Sequence, residues 1–206
     1  DLNMAWVESI SLAILEDDYE NYISSVYKKS YKFLAFLCLG MITSISLLFN
    51  FLIGKNYTSA YIHILILLIA VFINSMCSLE GGILSAFKNS KATGTTTMVG
   101  AIVNFIINIT LIKIIGLYAA SVSTLLSYVV IYILRRANTK KYVTVSMSYG
   151  FDAQFLLMLI IVGVGYISKN TIINILLLMI VIIWGVINNK EIIGGLCQVV
   201  YKKMGK

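Results

Sequence analysis

Asn74, Asn104, Asn108 and Glu80 lie inside long apolar stretches of this 206-residue sequence. Hydrocarbon offers such groups no hydrogen-bond partners, so each must face another helix or a wet cavity. Asn74, Ser78, Gly81, Ser85 and Lys88 recur at alternating spacings of four and three, which places them on one helix face. Thr97, Ala101, Asn104 and Asn108 form a second such stripe, and Gly116, Ala120, Ser123 and Ser127 a third, with Ala119, Ser123 and Ser127 as a small-xxx-small row. Thr43, Ser46 and Asn50 make a shorter one. Small residues and hydroxyls serve helix packing. Three carboxamides at mid-depth exceed what packing needs and can hydrogen-bond a hydroxyl-rich solute. Glu80 lies off the Asn74 stripe, on the side of Met76, Leu84 and Phe87. A central acid costs ~2.5–3.5 kcal/mol to insert. Glu80 is therefore expected to be protonated among apolar neighbours or to meet a partner outside the chain, and it is a candidate for proton or cation coupling.

Catalytic chemistry is missing. The single histidine, His63, can build neither a Ser/His/Asp set nor a His-rich metal site. No phosphate-cradling glycine loop opens a helix. Cys38, Cys77 and Cys197 are odd in number and form no CxxC pair. Neither an enzyme nor a cofactor is expected.

The elements that hold these residues follow from composition. Apolar residues make up 59% of the chain, charged ones 12%, and mean hydropathy is +0.91, whereas soluble domains carry about 25% charge. The apolar residues come in blocks that fit the ~20 helical residues a bilayer requires. The pattern predicts an all-α, polytopic transmembrane bundle with six spans, near 33–54, 61–87, 95–112, 117–135, 153–168 and 171–188. Leu2 to Leu15 reads as the end of a preceding span (1–15), and the chain as a fragment. Residues 16–32 read as a cytoplasmic amphipathic segment, with Tyr19, Tyr22, Ile23, Val26 and Tyr27 on one face. The six spans fill 33–189, and 190–206 reads as a basic amphipathic tail on the inner leaflet, where Ile192, Ile193, Leu196, Val199 and Val200 precede Lys202, Lys203 and Lys206.

The net charge of +7 is distributed by side rather than gathered into a nucleic-acid patch. Lys28, Lys29, Lys32, Lys88, Lys91, Arg135, Arg136, Lys140, Lys141 and the tail lysines fall on one side of the alternating spans; Lys55, Lys113 and Lys169 fall on the other. Positive-inside bias assigns the richer side, and the C-terminus, to the cytoplasm. His63 and Lys113 lie near the outer face and are expected to snorkel. Proline is absent, so any break must come from glycine or polar insertion; Gly81-Gly82 serves either a hinge or close helix packing.

From Glu80 to Tyr128 the sequence resembles the polysaccharide flippases of the MATE-like multidrug/oligosaccharidyl-lipid/polysaccharide exporter superfamily. Asn104 matches the asparagine of one family helix, and Gly116, Ala120, Thr124 and Tyr128 the pattern of the next. Ala5-Trp6 and Asn188-Asn189-Lys190-Glu191 also fit. Lys113 stands where the family usually has proline, and Ala119 where it has glycine. The resemblance implies two bundles totalling 14 spans that rock about a central cavity, this chain being the C-terminal half, inactive without its N-terminal half. It implies a bacterial cytoplasmic membrane, an undecaprenyl-diphosphate-linked oligosaccharide as substrate, and polysaccharide polymerase or assembly proteins as possible partners. On that reading Lys88, Lys91, Arg135 and Arg136 would draw the diphosphate to the cytoplasmic mouth, and Asn74, Asn104 and Asn108 would meet the sugars. A cation-coupled small-molecule antiporter of the same superfamily and a non-transporting scaffold of a polysaccharide-synthesis complex are the alternatives.

Overall fold

The computed structural model describes residues 2–52, 60–145 and 148–195. They form seven α-helices: α1 (Leu2–Ala13), α2 (Tyr19–Leu52), α3 (Ala60–Ala86), α4 (Ser90–Ile115), α5 (Tyr118–Thr139), α6 (Tyr149–Ser168) and α7 (Thr171–Asn188). The helices from α2 to α7 are long and apolar enough to cross a membrane. The chain is an all-α, polytopic membrane bundle. Lys55, Cys197 and the tail from residue 196 onward lie outside the described residues, as does the greater part of the face expected there; residues 190–195 are helical.

Two sequence boundaries move. The amphipathic segment expected at 16–32 and the span expected at 33–54 are one continuous helix, α2. Its lysines at 28, 29 and 32 break the hydropathy but are good helix formers, and no proline or glycine interrupts the junction. The connection left at 113–116 between the spans expected at 95–112 and 117–135 is shorter than that. Helix α4 runs to Ile115, and Gly116 ends it at φ 58°, a left-handed conformation that glycine adopts without strain.

The helices divide into two compact units. Unit 1 holds residues 1–27 and 55–147, and unit 2 holds residues 28–54 and 148–206. In unit 1, α3 packs against α5 and α1, and α4 against α5. Ile10 of α1 and Ile83 and Leu84 of α3 are fully buried. Helix α3 passes unbroken through Gly81-Gly82. Both glycines serve close approach instead of bending: a Cβ on Gly82 would collide with Trp6 Cδ1, and one on Gly81 would lie 2.8 Å from Arg135 Nη1. The indole seated over Gly82 donates its N–H to Leu79 O at 3.1 Å.

Unit 2 is built from the larger part of α2 with α6 and α7. Ala35, Leu39 and Ile42 are buried there, as are Val162, Tyr166 and Val181. Phe36 of α2 lies on Gly185 of α7, where a Cβ would clash with the ring. Phe151 stacks on Trp184 with centroids 5.4 Å apart, and Tyr31 meets Phe151 edge-on at 5.4 Å. Asn170 caps α7 by accepting from Ile172 N and Ile173 N. At the surface Lys29 Nζ pairs with Glu191 at 2.9 Å, and this hydrogen bond and charge hold the Glu191 carboxyl below the usual carboxylate range.

Candidate functional site

The site in unit 1 begins at Glu80, which is completely buried. It sits in the last two turns of α3, ~9 Å from the helix end at 1.5 Å per residue, so it is not at mid-depth. Its partners belong to the chain itself. Tyr27 donates its hydroxyl to Oε1 at 2.7 Å, Arg136 Nη1 pairs with the same oxygen at 3.0 Å, and Thr139 donates Oγ1 to Oε2. The Tyr132 hydroxyl is hydrogen-bonded to that of Tyr27. Both carboxylate oxygens thus receive donors, one of them cationic. This replaces both expectations for Glu80: its neighbours are not apolar, and its partner is not outside the chain.

Arg136 turns inward rather than toward solvent. Its Nη2 donates to Val145 O at 2.6 Å, and its guanidinium lies over the Tyr27 ring, 5.5 Å from the centroid. Arg135 is buried as well. It donates Nη1 to Cys77 O at 2.7 Å, Nε to Thr96 Oγ1 at 3.2 Å and Nη2 to Thr97 Oγ1 at 2.9 Å. One guanidinium therefore fastens α5 to both α3 and α4, and it fits because Gly81 has no side chain in its way. A cytoplasmic mouth lined by both arginines is not what the geometry presents, since both guanidinium groups turn inward onto partners within the protein.

The exposed cations at this end of unit 1 are Lys88, Lys91, Lys140 and Lys141. The ends of α3 and α5 meet here, because Asn89 Nδ2 donates to Tyr142 Oη at 3.1 Å and Phe87 stacks on Tyr142 with centroids 4.7 Å apart. At the other end, His63 Nδ1 lies 3.2 Å from Ser121 Oγ and 4.3 Å, ring to ring, from Tyr118. His63 therefore packs between α3 and α5.

A groove of about 680 Å³ runs between α4 and α5, within the ~300–1,000 Å³ range of ligand sites. The α4 stripe read from the sequence, Thr97, Ala101, Asn104 and Asn108, lines it in full, opposite Thr124, Ser127 and Tyr128 of α5. The helices come close where Ile131 covers Gly100. Asn104 Nδ2 makes only long contacts, 3.4 Å to Thr124 Oγ1 and 3.5 Å to Ser127 Oγ. Asn108 Oδ1 is buried without any hydrogen-bond partner. The groove thus carries an amide donor weakly engaged and an amide acceptor unengaged, between apolar walls such as Phe105 and Ile109. Asn74 is not among its lining residues and lies exposed on α3. The small-xxx-small row is a packing face: Ala119, Ser123 and Ser127 are buried, and Ser123 returns its hydroxyl to Ala120 O at 3.1 Å, whereas Gly116 and Ala120 of the third stripe are exposed.

Sequence reasoning missed Tyr27, Tyr132, Thr139 and the threonines at 96 and 97 that receive Arg135. Tyr27 had been placed on an interfacial face, yet it and Ile23 are fully buried. The signal was present in their i, i+4 spacing; what was hidden was which surface that face meets. Comparison with protein-family profiles, with curated proteins and with solved structures finds no match to this chain.

Proposed function

We propose that this chain is the C-terminal half of a transporter that moves a lipid-linked, diphosphate-bearing oligosaccharide across a bacterial cytoplasmic membrane by alternating access. The observation that carries the reading is the α4–α5 groove, which offers amides and hydroxyls along a membrane-crossing helix pair. A sugar hydroxyl donates to Asn108 Oδ1 and accepts from Asn104 Nδ2, in a setting where water competes poorly. The groove follows α4 from Thr97 to Ile112, ~22 Å at 1.5 Å per residue. Its Thr97 end adjoins Arg135 and lies on the α4 half that begins beside Lys88 and Lys91.

The lysines supply a diffuse cationic rim for a diphosphate. Arg135 and Arg136 support that rim from inside the protein. The resemblance of the Glu80–Tyr128 region to the polysaccharide flippases points the same way, as does the lack of catalytic groups in the sequence.

The test is Asn104→Leu with Asn108→Leu in the complete transporter. Both positions keep the branching of the side chain and lose its hydrogen bonding. Polymer export falls at least about ten-fold while membrane insertion and protein level stay unchanged, since an unmet polar group costs ~1–3 kcal/mol. Export at wild-type level would refute the groove as the sugar path. Charge reversal of Lys88 and Lys91 tests the rim in the same assay and is expected to abolish export.

A further inference from the structure

The Glu80 cluster lies beside both places where the chain leaves unit 1. Tyr27 is the last residue of unit 1 before the chain passes to unit 2 at Lys28, and Val145 lies just ahead of the return passage at Ser148. Glu80 Oε1 receives both Tyr27 Oη and Arg136 Nη1, and the other arm of Arg136 holds Val145 O. Thr139, at the end of α5, bonds the remaining carboxylate oxygen.

The segment after α5 is folded back onto unit 1. Tyr142 N and Val143 N bond to Thr139 O at 2.9 and 3.0 Å. Val143 and Val145 are buried, and Tyr142 is held by Asn89 and Phe87. The charged and titratable groups around the carboxylate are Tyr27 from α2, Cys77 from α3, and Tyr132, Arg135 and Arg136 from α5. Two residues bridge Glu80 to the departing chain: Arg136, which holds Val145 O, and Thr139, whose carbonyl receives Tyr142 N and Val143 N.

We propose that Glu80 is a single anchor for both of these passages of the chain out of unit 1: it holds Tyr27 directly, and it holds the Tyr142–Val145 segment through Thr139 and Arg136, so that removing its carboxylate loosens the two segments together. A buried carboxylate is suited to this. Tyr27 and Arg136 come from elements remote in sequence and share one acceptor, so neither contact persists once that acceptor is gone. The anchor concerns how unit 1 holds its own ends and does not depend on what the protein carries.

Hydrogen exchange on the full chain in nanodiscs tests it, comparing Glu80→Leu with wild type. Amide exchange rises at least about ten-fold at both Ile23–Tyr27 and Tyr142–Val143, because each segment loses a hydrogen-bond chain that ends on Glu80. The α4 amides near Asn104 change less than about two-fold. Two selective variants read the branches separately and decide the matter if Glu80→Leu is not recovered from membranes. Tyr27→Phe raises exchange at Ile23–Tyr27 and leaves Tyr142–Val143 alone; Arg136→Gln combined with Thr139→Val does the reverse. A response of Glu80→Leu in one segment only, or in neither, overturns the proposal. So does an equal response of both segments in each selective variant.

Discussion

Gly82 and Gly163 are both glycines within membrane-crossing helices, and their surroundings set them apart. A Cβ on Gly82 would meet Trp6, whose indole is itself bonded to Leu79 O, whereas nothing lies within 4 Å of one on Gly163. Gly82→Ala is expected to destabilise the protein by ~1–3 kcal/mol, the cost of overpacking. Gly163→Ala is expected to stabilise it by up to ~1 kcal/mol, the helix-propensity difference. Unfolding in a graded detergent series measures both. The hinge-or-packing alternative for Gly81-Gly82 shows where sequence runs out at this scale. A glycine pair in a span marks close approach or bending equally well, and only the position of Trp6 and Arg135 decides. Glu80 is similar: its burial in a helix is legible from hydropathy, but its partners lie more than fifty residues away in either direction, and one sequence carries no record of that pairing.

At the scale of elements, hydropathy located the helices well. The spans expected at 61–87 and 171–188 agree with α3 and α7 to within a residue or so. The others extend further, because helices continue through polar ends until a cap or a left-handed residue stops them, as Asn89 and Gly116 do for α4. The stripe on α4 was legible because a 3.6-residue period puts one face on one groove. Asn74 was not assignable in the same way, since its stripe runs from an exposed position to buried Gly81. The continuity of α2 makes a direct prediction. Ser30 lies where a surface segment was expected to join the first span, and in the structure it is mid-helix. Ser30→Pro should therefore cost ~3 kcal/mol or more, read as a drop in the unfolding midpoint; a flexible junction would absorb it. The Lys29–Glu191 pair is the opposite case. Both side chains are largely exposed, so Glu191→Gln should leave the unfolding midpoint unchanged within error.

For the whole molecule, the membrane class was legible from composition alone, since no soluble core accommodates this much apolar surface. Division into two units was not, because α2 contributes to both and no linker composition marks the change. Orientation rests on the charges. Lys88, Lys91, Lys140 and Lys141 share one end of unit 1, and Lys113 belongs to the other, near the Gly116 turn. Single cysteines at Lys91 and Lys140 are expected to react only from the cytoplasm, and one at Lys113 only from outside. Labelling of Lys91 and Lys113 replacements from the same compartment would contradict the topology.

The length of α2 carries a consequence of its own. Its 34 residues extend ~51 Å at 1.5 Å per residue, against a hydrocarbon slab of ~30 Å. Lying wholly within that slab would demand a lean of more than ~50°, beyond the ~40° seen for spanning helices. The surplus stands clear of the oil like a mast, and Tyr27, on its lower reach, brings a phenol to Glu80 near the waterline. An acid there is sheltered by protein yet close to bulk water. That location explains how a carboxyl group can sit inside a membrane bundle without the penalty of the bilayer midplane.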